Sequence, residues 1–297
     1  MSTLIFRTTL PRFEYLKPKS LGEALELKAK YRDDAMVLAG GTDLLVDIRM
    51  GAKKPKYVID IKGIEELSEL KYVEGRGLEI GSAVILSELE RSKIVREKFH
   101  VLWDAVRQLA DFPLRTRATL AGNIANASPA SDSAPALLVL GAEVELSSTR
   151  GARRLPIKRF FKWVKQTYME PDEMITKIFV PEPPKDSKGM YLKFTRITVE
   201  DLSVVGIAGL AANLEEPEKR IVRLAYASVA PTPLLVEEVE EIFKHNRPVK
   251  ELIREAVETV KKKTSPITDV RGTAEYRMHL IEFGTAYLLN RLLGVME

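Results

Sequence analysis

The sequence predicts an α+β protein in two parts, and three observations carry that reading. Through the first 180 residues, short apolar runs suited to strands alternate with stretches of helical spacing. Three prolines interleaved with charges then interrupt every periodicity in Val180-Pro181-Glu182-Pro183-Pro184-Lys185-Asp186. Beyond that break, three strand-like runs are followed by three helix-like ones, the order expected of an α+β unit. The expected domains are residues 1-180 and 187-297, and a chain of 297 residues is long enough to bury a core in each.

The elements follow in order. Ser20 with Glu23 forms a capping box that opens an amphipathic helix carrying Leu21, Ala24, Leu25 and Leu27. Ala35 to Leu38 reads as a buried strand, and Leu44 to Met50 as a helix that Thr42 or Asp43 caps and Gly51 stops. Tyr57 to Ile61 and Gly77 to Gly81 read as strands, and Ser87 with Glu90 repeats the capping pattern. A helix from Val95 to Ala110 places Phe99, Leu102, Trp103, Val106 and Leu109 on one core face. Ser133 to Gly141, with an early proline and a terminal glycine, is a short buried helix. Ala142 to Leu146 and Arg154 to Ile157 flank the turn Thr149-Arg150-Gly151 as a hairpin. Past the proline break come strands at Met190 to Arg196, Ser203 to Asn213 and Ile221 to Val229. Helices follow at Leu234 to Phe243, Val249 to Lys263 and Thr273 to Leu293.

Two segments carry chemistry. In Ala39-Gly40-Gly41-Thr42-Asp43 a Gly-Gly turn joins a strand to a capped helix, so backbone amides can approach an anion with no Cβ between. A Gly-Gly turn is also a common tight connection. The second segment, Thr119-Leu120-Ala121-Gly122-Asn123-Ile124-Ala125-Asn126-Ala127-Ser128-Pro129-Ala130-Ser131-Asp132, is nearly free of large side chains and makes a poor core element. Its short polar groups could line a wall against phosphate and sugar oxygens, or satisfy their own backbone in a surface loop. Together the two loops could grip one diphosphate.

Composition narrows the classes. Forty-six basic against 42 acidic residues leave a charge of +4, and no basic stretch is interleaved with aromatics. Arg150, Arg153, Arg154, Lys158 and Arg159 read as a solvated hairpin rim rather than a nucleic-acid site. No run of 18 apolar residues exists and the N-terminus lacks a signal h-region, so no membrane insertion and a cytoplasmic location are expected. With no cysteine the chain can hold no iron–sulfur cluster through thiolates. Its three histidines, His100, His245 and His279, have no metal-ligand spacing.

The two loops, joined by Ser228-Val229-Ala230-Pro231-Thr232-Pro233 and Asp269-Val270-Arg271-Gly272-Thr273-Ala274-Glu275-Tyr276-Arg277, resemble the FAD-binding medium subunit of the molybdenum hydroxylases. That group includes carbon monoxide dehydrogenase and the central domain of xanthine dehydrogenase. The resemblance spans nearly the whole chain. It implies a two-subdomain FAD-binding module of the vanillyl-alcohol-oxidase-like (PCMH) type, then a domain with a three-stranded antiparallel sheet and a helical bundle. It implies Leu38, Ala39, Gly40, Gly41, Thr42, Asp43 and Leu44 as one grip on FAD, and Thr119, Ala121, Gly122, Asn123 and Asn126 as the other. Asp132, Ile175 and Lys193 match further cofactor contacts, and no catalytic residue is implied in this chain. Asp132 could alternatively cap the helix that follows it, and Lys193 could be an exposed strand lysine.

By the same resemblance, the molybdenum cofactor and [2Fe-2S] clusters belong to a large and a small partner subunit in a heterotrimer, which can be doubled. Electrons reach FAD from those clusters and leave for an external acceptor. One departure stands out: the family's second loop commonly reads Thr-x-Gly-Gly-Asn, and here Ala121 replaces the first glycine. A left-handed backbone there would cost about 1 kcal/mol. Two alternatives differ in class: a stand-alone flavin reductase, as in the UDP-N-acetylenolpyruvoylglucosamine reductases, and a cofactor-free assembly subunit. The Asp269 to Arg277 segment argues against the first, and the intact loops argue against the second.

Overall fold

The computed structural model describes residues 10–197 and 201–295, which form three principal sheets. The first is parallel. Strands β1 (Glu14–Leu16), β2 (Ala35–Leu38) and β3 (Tyr57–Asp60) lie in the order β1-β3-β2. Helix α1 (Leu21–Tyr31) links β1 to β2, and the short helix α2 (Leu44–Arg49) follows β2. Ser20 caps α1 by accepting from the Glu23 amide at 3.2 Å, while the Glu23 carboxylate accepts from the Lys19 amide at 2.7 Å. The box thus closes one residue further back than the usual pattern.

The second sheet is antiparallel. It contains β4 (Leu70–Val73), β5 (Gly77–Gly81), β6 (Glu143–Ser148), β7 (Gly151–Pro156) and β10 (Met174–Pro181), in the order β4-β5-β10-β6-β7. A small ribbon of β8 (Phe161–Trp163) and β9 (Gln166–Thr167) interrupts the chain before β10. The β6–β7 hairpin is the expected one, and four of its five basic rim residues are paired: Arg150 meets Asp172, Arg153 meets Glu173, Arg154 meets Glu145 and Lys158 meets Glu237.

Between β5 and β6 run α3 (Leu86–Arg91), α4 (Lys93–Lys98), α5 (His100–Arg107), α6 (Phe112–Arg115), α7 (Leu120–Ala125) and α8 (Ser133–Val139). Two expectations are corrected here. Ser87 does not cap: it lies inside α3, buried, and the hydroxyl that caps is Ser92, accepting from the Val95 amide at the start of α4. The helix expected from Val95 to Ala110 is two helices, broken at Phe99 with φ −124° and ψ 46°. The break turns the Phe99 ring fully into the core, so tertiary burial overrides a helical spacing that no Gly or Pro interrupts.

The C-terminal sheet is antiparallel, with β11 (Lys188–Phe194), β12 (Val205–Ala212), β13 (Ile221–Ala227) and the two-residue β14 (Leu234–Leu235) in sequential order. Helices α9 (Glu238–Phe243), α10 (Val249–Lys263) and α11 (Ala274–Leu292) follow. The first of these starts later than its spacing suggested, because Leu234 and Leu235 pair with Tyr226 and Ala225 and add a fourth strand to the expected three.

All eight residues of β12 are buried. With the period of two of a strand, Val205, Ile207 and Ala211 face a core shared with Leu252, Ala256, Ile281 and Leu288 of α10 and α11. Ala208 and Leu210 face Leu102 and Ala105 of α5 and Leu137 of α8. The C-terminal sheet therefore closes the core of the preceding part. At the entry to α11, the buried Arg277 donates to the carbonyls of Val204 (2.7 Å) and Ser228 (3.0 Å) and to Asp269 (2.6 Å). The Asp269 to Arg277 segment thus latches the helix to the ends of β12 and β13. Paired with Arg271 and Arg277, the Asp269 carboxyl is held well below the usual range.

Candidate nucleotide-binding site

The two small-residue segments meet in space. After β2 the chain turns through Ala39, Gly40 and Gly41, with Gly41 at φ 77°, a left-handed conformation that suits glycine. A Cβ on Gly40 would lie 2.7 Å from Ala118 Cα and 2.8 Å from the Arg117 carbonyl carbon. The first loop therefore rests directly on the backbone that leads into the second. The amides of Gly41, Thr42, Asp43 and Leu44 take part in no backbone hydrogen bond among the described residues.

Neither Thr42 nor Asp43 caps α2 with its side chain, contrary to expectation: Asp43 stands at the cap with helical backbone angles (φ −95°, ψ −49°) and makes no such bond. The helix is six residues long, too short for a full macrodipole. The unpaired amides rather than the helix as a whole supply the positive potential.

The second segment is not wholly loop. Its first half is α7, capped by the Thr119 hydroxyl, which accepts from the Gly122 amide at 3.0 Å. Leu120, Ala121 and Ile124 are buried in the core, so the expectation of a poor core element is corrected for this half. Ala121 sits in helical backbone and is absent from the positive-φ residues, so its departure from glycine carries no conformational cost. Asn123 Oδ1 accepts from the hydroxyls of Ser131 and Ser133, each at 2.6 Å, and so fixes the turn that follows. Asn126 accepts from Lys165 at the tip of the β8–β9 ribbon, 2.8 Å away.

A cavity of about 320 Å³ lies between the loops, within the range of small-molecule sites. Its wall includes Ala39, Gly40, Gly41, Thr42, Asp43 and Leu44 from the first segment, Thr119, Ala121, Gly122, Asn123 and Asn126 from the second, and Ile175 from β10. Leu109, at the end of the α5 stripe, also reaches it. Three expected residues stand off this wall. Leu38 is buried beneath the first loop with Ile48 and Val58.

Asp132 and Lys193 form a buried pair at 2.9 Å, with the Tyr191 hydroxyl donating to the other Asp132 oxygen at 2.7 Å. Lys193 also donates to the Gln108 carbonyl at 2.8 Å. Asp132 precedes α8 but makes no capping bond, its carboxylate being engaged by β11. Burial pushes the Asp132 carboxyl up, against the opposing pull of Lys193 and Tyr191, and pushes the Tyr191 phenol well above its usual value.

Among the wall residues that sequence reasoning missed are Lys28 and Ser82. Lys28 is a buried lysine on α1 whose Nζ donates to the carbonyls of Arg32 (2.7 Å) and Ala35 (3.0 Å), and burial draws its pKa down. The only signal was a lysine four residues after the buried Ala24 on the same helix face. Ser82, 2 % exposed, also lines the cavity, and its hydroxyl has no hydrogen-bond partner. Unpaired amides, a glycine turn without a Cβ and an apolar slot together fit a nucleotide diphosphate. Among the described residues, no three His, Asp or Glu side chains are grouped to hold a metal ion, and no helix is long and apolar enough to cross a membrane.

Comparison with known proteins agrees on one group. Residues 11–183 match the model of the FAD binding domain in molybdopterin dehydrogenase, and residues 190–290 that of the CO dehydrogenase flavoprotein C-terminal domain. The chain is 32% identical over 267 residues to the carbon monoxide dehydrogenase medium chain of Hydrogenophaga pseudoflava, covering 90% of this chain and 92% of that one. It is 30% identical to the xanthine dehydrogenase FAD-binding subunit of Escherichia coli O157:H7, covering 93% and 94%. Among solved structures, a chain of Hydrogenophaga pseudoflava carbon monoxide dehydrogenase lacking the Mo-pyranopterin moiety superposes with a TM-score of 0.91 at 29% identity, covering 98% of this chain and all of that one.

Proposed function

The chain belongs to the family of FAD-binding subunits of molybdenum hydroxylases, the carbon monoxide and xanthine dehydrogenase group, and on that premise we propose that it passes electrons from [2Fe-2S] clusters of a partner subunit through FAD to an external acceptor. It is a subunit of an oxidoreductase with FAD as its cofactor. The observation that carries the reading is the junction of the loops at Gly40, beside amides that have no backbone partner.

When bound, FAD supplies the electron-exchange chemistry, while the protein supplies binding and orientation. Gly40 to Leu44 present their amides to the diphosphate, and Thr119, Gly122 and Asn123 hold the facing loop in place. Asn126 is assigned to the cofactor's polar groups, and Ile175 to excluding water from its apolar faces. Asp132 and Lys193, already paired, are assigned to sugar hydroxyls and to negative charge on the cofactor respectively. Tyr191 orients Asp132.

The partners are a large molybdenum-cofactor subunit and a small iron–sulfur subunit, in a heterotrimer or its dimer, in the cytoplasm. Residues 1-180 form the FAD-binding domain and 187-297 the C-terminal domain. The test is purification with native partners, followed by release and chromatography of the flavin. About one FAD per chain, lost in Gly41→Val, supports the reading. A preparation that stays colourless after incubation with FAD overturns it.

A further inference from the structure

Between α5 and α7 the chain arches along one side of the cavity, and Leu109, Leu114, Ala118 and Thr119 of that arch lie on the wall. The opening turn of the arch has no backbone ladder of its own. Helix α5 ends at Arg107, and the carbonyls of Gln108, Leu109 and Ala110 accept from no backbone amide among the described residues. Ala110 stands at φ 48°, a left-handed conformation that costs a non-glycine residue about 1 kcal/mol. Left without partners, such a turn would relax and swing its carbonyls towards water.

Two buried cations hold it in place. Lys193 reaches across from β11 and donates to the Gln108 carbonyl at 2.8 Å. Arg115, 8 % exposed, takes the next two: Nη1 donates to the carbonyls of Leu109 at 3.1 Å and Ala110 at 2.7 Å. Glu90 of α3 fixes the rest of the guanidinium, its carboxylate accepting from Nε at 2.9 Å and from Nη2 at 3.2 Å. A planar fork can serve a carboxylate with one edge and two carbonyls with its remaining nitrogen, which a single ammonium cannot. Arg115 does not reach the wall itself, but the turn it grips carries Leu109, which does. Resting on the FAD reading above, we propose that Arg115 is a positioning residue for the cofactor site, acting through the Leu109 and Ala110 carbonyls to keep Leu109 against bound FAD.

A double-mutant cycle separates this role from a merely structural one. Flavin-free full-length chain is titrated with FAD, and its thermal midpoint is followed in parallel. Arg115→Met and Leu109→Ala, each of which removes the apolar contact of one leucine, are each expected to weaken FAD binding about tenfold. If Arg115 acts through Leu109, the double variant should bind FAD about as weakly as either single one, not about a hundredfold more weakly than wild type. Glu90→Gln leaves the carbonyl grip in place while removing the counter-charge, so it should lower the thermal midpoint and keep FAD affinity within about twofold of wild type.

Should Arg115→Met fail to fold, the cycle is run with Arg115→Lys, whose ammonium cannot hold both carbonyls and Glu90 together. Wild-type FAD affinity in the Arg115 variant, additive losses in the double variant, or a loss of affinity in Glu90→Gln as large as that in the Arg115 variant would each overturn the positioning role. All three leave the electron-transfer reading standing. A wild-type chain that binds no FAD overturns both.

Discussion

Alanine at Gly40 tests the junction on which the site depends. The added methyl would stand 2.7 Å from Ala118 Cα and 2.8 Å from the Arg117 carbonyl carbon, against about 3.5–4.0 Å for carbon atoms in comfortable contact. Both obstacles are backbone, so no rotamer change relieves them, and the loops must part by roughly 1 Å. Overpacking of this kind costs about 1–3 kcal/mol. If FAD binds only when the loops are together, the same energy is drawn from binding, a weakening of roughly 5- to 150-fold. Titration of flavin-free protein with FAD and a parallel thermal melt read both quantities. Gly51→Ala is the control: its φ of 75° strains an alanine by about 1 kcal/mol, but a Cβ there meets nothing within 4 Å. It should lose stability and keep FAD affinity. Wild-type affinity and wild-type melting in Gly40→Ala would refute the contact.

Three further outcomes are expected. Asp132→Asn leaves Lys193 buried without its counter-charge and should destabilise by about 3–5 kcal/mol in urea unfolding, whereas Tyr191→Phe, which removes one hydrogen bond, should cost about 1–2 kcal/mol; equal effects would contradict the pairing. Glu182, bonded to Lys98, Tyr72 and the Gly75 amide, has its carboxyl lowered from 4.5 to about 2. A depressed carboxylate stabilises fully above its unfolded value and loses that contribution as pH falls through its folded one, so Glu182→Gln should flatten the melting temperature between pH 4.5 and 2 relative to wild type. Arg277→Lys cannot reach the Val204 and Ser228 carbonyls and Asp269 at once; a loss of about 3 kcal/mol is expected by denaturant titration.

Much of this architecture was legible because local and tertiary demands agree. The β2 strand, its glycine turn and the helix after it each carry their own signal, and α10 runs from Val249 to Lys263 as its spacing indicates. The misreadings have physical causes. Phe99 breaks a helix because the core takes its ring, and nothing local announces that. Ser87 mimics a cap, but the helix has already begun at Leu86, with Ile85 at the cap. Leu234 and Leu235 fit a helical pattern until the edge of β13 takes them. At the site, the two loops announce themselves through small residues, and Asp132 and Lys193 through family resemblance, but their mutual pairing across 61 positions does not. Ser82 and Lys28 belong to no motif. A lone hydroxyl without a partner becomes informative only when its surroundings are known.

The doubly covered strand β12 makes the proline-rich connection something other than a hinge. With α5 and α8 on one side and α10 and α11 on the other, neither lobe can swing away without stripping apolar area from its neighbour. Heat should dissolve the two lobes together in one calorimetric transition, and a protease nick between Pro183 and Asp186 should leave two fragments that stay associated. The second small-residue segment is thereby referenced to the far end of the chain: Pro129 in that segment accepts from the amide of Ser228, whose carbonyl Arg277 grips. A partner pressing on the C-terminal helices would meet a rigid body, with the cofactor's distance from any neighbouring redox centre fixed when the chain folds.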